Sequence, residues 1–270
     1  MPATVRETQV PGAIPRYELT EWRERYGVVA GITGRPFELG LWSAAPVGEV
    51  MTRWRQFQDA MGFGHAILGH QCHKTDIAWH DAGVAGKAGR SGEAGASLAG
   101  RGANPLHPLH PPLPPIALTL LDRIDGHATA RADTLLLVTL ADCIPIYLLE
   151  PKKKVIAILH SGWRGTAAGI LGKGLALLKE RAGVEPKDLV MHLGVGICGK
   201  CYEVGAEVIE GVGLRADGDG PWHVDLRERL AHQAWAAGVR EITISEWCSA
   251  HDNDRFFSHR ASKGKDGRMV

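Results

Sequence analysis

The feature that most constrains the fold is a pair of apolar runs, Ile144 to Leu149 and Val155 to Leu159, joined by the charged segment Glu150-Pro151-Lys152-Lys153-Lys154. A connection this short pairs the runs antiparallel. Runs that are apolar at nearly every position belong to strands covered on both faces. The reading is therefore a buried hairpin inside a larger sheet. Its open end also carries chemistry. Cys143 stands just before the first run, in Ala141-Asp142-Cys143-Ile144-Pro145, and His160 follows the second, in His160-Ser161-Gly162-Trp163-Arg164-Gly165. Antiparallel pairing sets that thiol beside that imidazole. A third donor, His73, follows another apolar stretch in Gln71-Cys72-His73.

Around the hairpin, helices and strands alternate without a strict βαβ rhythm, which predicts a mixed-sheet α/β or α+β fold. Gly27 to Thr33 reads as the first strand. Val50 to Met61 reads as a helix with Val50, Trp54, Phe57 and Met61 on one face. Further strands are expected at 66–73, 134–140, 188–194 and 241–245. Helices are expected at 166–182, closed by Gly183, and from about Asp225 to Ala237. From about 81 to 115 the composition turns to Gly, Ala, Ser and then Pro, as an inserted loop would. His107 and His110 lie in it, but their proline flanks argue against the helix that would align two ligands. The expectation is one domain over 1–270 carrying this insertion.

Composition excludes several classes. The 270 residues carry a formal net charge of +1, with 44% apolar and 23% charged residues, so no nucleic-acid partner is indicated. No run of eighteen apolar residues suggests a membrane span. The polar N-terminus does not resemble a secretory signal. Five cysteines without framework spacing suit a reducing cytoplasm.

One thiolate and two imidazoles make a three-ligand set suited to Zn²⁺, with the fourth position left for water or substrate. Such a metal lowers the pKa of bound water to about 7. The same residues without metal would be a thiolate nucleophile, Cys143, with His160 as its base. Cys198-Gly199-Lys200-Cys201 has the spacing of half a zinc knuckle or of a redox pair, but no second Cys-x-x-Cys exists. Its glycines favour a tight turn with free backbone N–H groups. Arg35, Arg164, Arg260 and Arg268 stand beside glycine or histidine, where guanidinium groups would meet phosphate or carboxylate.

Taken together, Gln71-Cys72-His73, Thr139 to Pro145, His160 to Gly165, Cys201-Tyr202-Glu203-Val204-Gly205, Phe257-Ser258-His259-Arg260 and Gly267-Arg268-Met269 resemble the laccase-domain (YfiH-like) family. That family was first described as multicopper polyphenol oxidases and later as purine nucleoside phosphorylases. The resemblance implies a four-layer α/β/β/α domain of stacked mixed sheets flanked by helices. It implies zinc on His73, Cys143 and His160, with copper as the alternative occupant. The implied reaction is phosphorolysis of adenosine, inosine, guanosine and methylthioadenosine, with adenosine deamination as a second activity. Purine nucleosides and phosphate are then the partners. Arg35 and Arg164 become candidate anion contacts, Trp163 and Tyr202 candidate stacking residues, and Gln71 a further residue on the substrate side. Cys72 stands at the centre of its motif, and would point away from His73 if the segment were extended.

Three competing readings remain at this point. A laccase-like copper oxidase would need paired histidines around a trinuclear cluster, and the chain has no His-x-His. A metal-free Cys/His amidase or cell-wall precursor hydrolase uses Cys143 and His160 directly. A closed structural site would need a fourth ligand, from His127 or His259.

Overall fold

The computed structural model describes residues 2–41, 45–81 and 117–270. Most of the expected insertion, with His107 and His110, lies outside the described residues, as does Trp42. Fifteen strands are described: β1 (Ala3–Val5), β2 (Thr8–Val10), β3 (Arg16–Glu18), β4 (Gly31–Thr33), β5 (His65–His70), β6 (Ile77–His80), β7 (Ala117–Asp122), β8 (Gly126–Thr129), β9 (Thr134–Leu137), β10 (Ile144–Glu150), β11 (Val155–Ser161), β12 (Val190–Leu193), β13 (Glu203–Val204), β14 (Trp222–His223) and β15 (Glu241–Ser245). The helices are α1 (Thr20–Tyr26), α2 (Val47–Met61), α3 (Trp163–Ala167), α4 (Ile170–Ala182), α5 (Ala206–Gly211) and α6 (Leu226–Ala236).

The expected hairpin, β10 and β11, pairs antiparallel from Ile144 opposite Ser161 to Glu150 opposite Val155. It forms the middle of a seven-stranded mixed sheet in the order β1-β15-β12-β10-β11-β8-β6. Alternate residues of the hairpin serve two different cores. Ile144, Ile146, Leu148, Val155, Ala157 and Leu159 pack with α4, α5 and α6. Tyr147, Leu149 and Ile158 face a second layer, made of the antiparallel sheet β2-β3-β4 and the parallel sheet β7-β5-β9. On the far side of β5, Ala66 and Leu68 meet Val50, Trp54 and Phe57 of α2. Helices, large sheet, small sheets and α2 thus stack as the four expected layers. Burial of Val50 and Phe57 on that stripe is worth about 1.5–3 kcal/mol each.

Several expected boundaries move. The strand read from Gly27 begins only at Gly31, because Gly27 closes α1 in a left-handed conformation (φ 67°). It is also not the first strand, since three short strands and α1 precede it. The helix expected from Thr166 starts earlier, at Trp163, and is interrupted at Gly169, whose φ of 75° no continuous helix allows. The strand through Ala66 stops at His70, so Gln71-Cys72-His73 is a turn and the opposite-face argument for Cys72 does not apply. Among the described residues, no helix is long and apolar enough to cross a membrane.

Candidate metal centre

Across the large sheet, Ile77, Gly126, Leu159, Ile146, Leu193 and Ile244 form one row of paired residues. One edge beyond that row holds the turn before β6, Asp125 before β8, the end of β11 and the start of β10. His73, His160 and Cys143 therefore converge, with their donor atoms within 4.8 Å of one another. Cys143 Sγ lies 4.0 Å from His73 Nδ1, and the two imidazole rings meet edge to face at 4.8 Å between centroids.

Asp125 organises this edge. Its fully buried carboxylate accepts the backbone N–H groups of Cys72 (3.2 Å), His73 (2.9 Å) and Lys74 (2.9 Å). Those three bonds hold the turn in which His73 takes a φ of 54°, a left-handed conformation that costs roughly 1–2 kcal/mol for a residue with a Cβ. The same carboxylate meets His160 Nδ1 at 3.1 Å. A proton on that nitrogen leaves Nε2 of His160 free as a donor, the arrangement metal-binding histidines use. Burial opposes ionisation of Asp125, but His160 and the backbone N–H groups outweigh it and keep the carboxyl below its ordinary range.

The thiol and imidazole shift as a coupled pair. Burial resists ionisation of Cys143, and His160 followed by His73 overcomes it, bringing the thiol down to about 6. Burial likewise opposes charge on His160, which the Cys143 thiolate and Asp125 raise to about 9. Cys143 is thus set up as a thiolate, the form that ligates metal or attacks carbon.

A metal fits this donor set. His160 is buried, Cys143 half-buried and His73 exposed, so three donors line a site with one open side. Gly162 forms its floor. A Cβ there would sit 2.9 Å from Cys143 Sγ and 3.4 Å from His73 Nδ1, inside the space among the donors.

The other expected site residues separate into two groups. Tyr202 lies within the field of the Cys143 sulfur, with Arg164 and Arg260 acting on its phenol. The Tyr202 phenol is pushed up to about 12, by burial first and then by Cys143, with Arg260 and Arg164 opposing. Arg260 stacks on the Tyr202 ring at 5.2 Å, donates to the Glu203 carbonyl (2.7 Å), and its backbone N–H donates to Asp142 (2.7 Å). Exposed Arg164 stacks on half-buried Trp163 at 4.4 Å. Arg35 and Gln71 act as braces instead. Arg35 pairs with Asp266, donates to the Phe256 carbonyl (3.0 Å) and stacks on Phe257 (4.3 Å). Both ends of the Gln71 amide are taken by Thr139, at 2.7 to 3.0 Å. Arg268 donates to the Asp266 and Gly267 carbonyls.

Neither proposed fourth ligand joins the triplet. His127 is buried with Nδ1 3.1 Å from His80 Nε2, and His259 is exposed on the C-terminal loop. The sequence reading missed Asp125, whose role rests on the backbone N–H groups it accepts. Cys198 and Cys201, expected to form only a glycine-rich turn, gather with Cys248 and His251 in a second cluster.

Residues 23–270 match the family model described as multi-copper polyphenol oxidoreductase laccase. The chain belongs to this family. Among curated relatives it is 35% identical over 164 residues to the purine nucleoside phosphorylase YlmD of Geobacillus stearothermophilus, covering 56% of this chain and 60% of that protein. It is 32% identical over 160 residues to adenosine deaminase RL5 of an unknown prokaryotic organism, covering 55% and 61%. These matches span about 60% of the relatives' length. The laccase-domain fold is also seen in YfiH of Bacillus licheniformis (TM-score 0.77, 24% identity) and YlmD of G. stearothermophilus (TM-score 0.75, 25% identity), each covering 97% of both chains.

Proposed function

We propose that this protein is a zinc-dependent purine nucleoside phosphorylase of the cytoplasm, acting on adenosine, inosine, guanosine and methylthioadenosine and deaminating adenosine as a second activity. The observation that carries the reading is the meeting of three donors over Gly162 beside an exposed cation, Arg164. The name of the G. stearothermophilus relative supports the phosphorolysis, and that of RL5 the deamination. The acting unit is the whole of 1–270, with 81–115 as an insertion.

His73, Cys143 and His160 would hold the zinc. Zinc bound there supplies Lewis acidity and an acidified water. Asp125 fixes the tautomer and direction of His160. In phosphorolysis a phosphate oxygen bonds to the anomeric carbon as the C–N bond breaks, and the purine leaves with the electron pair and takes up a proton. Arg164 and Arg260 supply positive charge for the phosphate. Tyr202, whose phenol burial and the Cys143 sulfur hold further toward the protonated form, remains a hydrogen-bond donor toward an anion. Trp163 offers an aromatic face to the substrate.

The test is metal content of the purified protein, followed by adenosine turnover with and without phosphate. Zinc near one equivalent at this site, and adenine release that requires phosphate and vanishes in His73→Ala, is the expected result. Inosine formation indifferent to phosphate would replace phosphorolysis with deamination. Arg164→Ala is expected to raise KM for phosphate about tenfold, and Arg35→Ala to leave it unchanged.

One observation favours a second reading. Cys143, His160 and Asp125 also form a nucleophile, base and orienting carboxylate in sequence. That order suits a metal-free amidase or cell-wall precursor hydrolase. Iodoacetamide distinguishes the two: a ligated thiolate is protected until zinc is removed, whereas a free nucleophile is modified at once.

A further inference from the structure

Two turns of equal spacing lie farther along the same sheet edge. Cys198-Gly199-Lys200-Cys201 follows β12, and Cys248-Ser249-Ala250-His251 follows β15, its parallel neighbour. Together they read Cys-x-x-Cys and Cys-x-x-His, the two halves of a zinc knuckle. We propose that Cys198, Cys201, Cys248 and His251 bind a second zinc ion in a closed, four-ligand structural site that braces the Asp142–Cys143 segment.

The geometry suits tetrahedral coordination. All four donor atoms lie within 4.8 Å of one another, and Cys198 Sγ is 3.5 Å from His251 Nδ1. Zinc bonds of about 2.3 Å to sulfur and 2.0–2.1 Å to nitrogen require donor separations of roughly 3.5–3.8 Å. The cluster therefore closes on an ion with shifts of about 1 Å or less. Both halves are already folded as tight turns, with Cys201 and Tyr202 N–H donating to the Cys198 carbonyl and Asp252 N–H to that of Cys248. The Cys198 N–H points at Cys248 Sγ (3.3 Å), a bond that stabilises a thiolate.

The surroundings are built for charge. Buried Arg227 pairs with Asp225 at 3.0 Å, and this pair clamps both turns. Gly199 N–H donates to Asp225 (3.1 Å), while Arg227 donates to the carbonyls of Ser245 (3.1 Å) and Trp247 (2.9 Å). Three sulfurs lie within 4.8 Å of one another, so thiolates there would repel one another without a cation. A dication reverses that repulsion.

The same two turns grip the residue before Cys143. Ile197 N–H donates to the Asp142 carbonyl (2.9 Å), and Ser249 Oγ to the Asp142 carboxylate (2.6 Å). Zinc in the second cluster would thus fix the loop that presents Cys143. Exposed His251 gives the ion its way in.

The test uses the full chain carrying His73→Ala and Cys143→Ala, which removes the first site and leaves the second cluster intact. The expected result is about one zinc per chain after dialysis, against about two in wild type. Cobalt substitution of the same variant should give the intense thiolate-to-cobalt bands of a tetrahedral centre. Cys201→Ser added to this variant should remove both signals. A double variant with native circular dichroism that takes up no zinc under reducing conditions would overturn the proposal. A Cys198–Cys201 disulfide in protein purified anaerobically from reducing cells would also do so. None of these readouts depends on turnover, so failure of the phosphorylase reading would leave this result standing.

Discussion

His73, Cys143 and His160 meet through the ends of strands and one strained turn, with Asp125 behind them and solvent on the side of His73. Cys198, Cys201, Cys248 and His251 sit on two regular turns of the same sheet edge, with the Asp225–Arg227 pair binding the turns together. The first group has three donors over a glycine floor; the second has four donors and a backbone N–H directed at one sulfur. Three donors leave a coordination position for chemistry, whereas four close the shell and return the binding energy to the fold. The difference also lies in what each environment constrains. Asp125 aims a ligand, and the Arg227 clamp fixes a backbone.

The largest separation between the two regions is expected on metal removal. A mild chelator should take activity to background while the thermal midpoint hardly moves, because the open site exchanges its ion through solvent. A strong chelator should then lower the midpoint. Loss of activity and stability at one and the same chelator concentration would erase the distinction.

Next in size is Asp125→Asn. An amide cannot accept both the His160 N–H and the three backbone N–H groups of the turn, and one of its ends becomes a donor among donors. Zinc affinity or turnover should fall about 10–100-fold, as measured by competition with a chromogenic chelator. The zinc of the second cluster should be unaffected. A variant that keeps full affinity at the first site would show that Asp125 only supports the turn.

Gly162→Ala isolates the floor itself. Gly162 has φ −81° and ψ −178°, which alanine adopts freely, so backbone strain does not enter. The added Cβ instead meets Cys143 Sγ and His73 Nδ1. We expect zinc affinity at the open site to drop about tenfold, the lower end of outer-sphere effects, with the midpoint of the metal-free protein unchanged. An equal loss of stability in metal-free protein would mean that packing is being measured.

The two regions were not equally legible in the sequence. Cys143 and His160 could be paired because a charged turn between two apolar runs fixes the hairpin, and the hairpin fixes its ends. His73 followed from a strand end, although the strand stops three residues earlier than its apolar pattern suggests, at His70. Asp125 escaped because its role comes from accepting backbone N–H groups, which no side-chain motif encodes. The second cluster escaped for a topological reason. Its halves are separated by β13, α5, β14, α6 and β15, and they meet only because β12 and β15 pair side by side. The short strands β1 to β3 and β6 carry too few residues for periodicity to register, and neighbouring strands define them more than their own composition does.

The smallest expected effect concerns the clamp. Asp225 caps α6 through the Arg227 N–H (2.9 Å) and pairs with the Arg227 side chain. Burial raises its pKa, but Arg227 and the N–H of Gly199 pull it below the ordinary carboxylate value. A depressed folded-state pKa contributes stability above the unfolded pKa of about 4 and loses it as pH falls through the folded value. In chelator-treated protein, Asp225→Asn keeps an N-cap of equal quality and removes only the charge, and should therefore cost about 1 kcal/mol at neutral pH. The deficit should shrink steadily below about pH 4, as the wild-type carboxyl protonates and the two proteins become alike in charge. Denaturant midpoints across that range test the sign. A deficit independent of pH would assign the loss to altered hydrogen bonding of the side chain rather than to its charge, and the ion pair would then not be what holds the two turns of the second cluster.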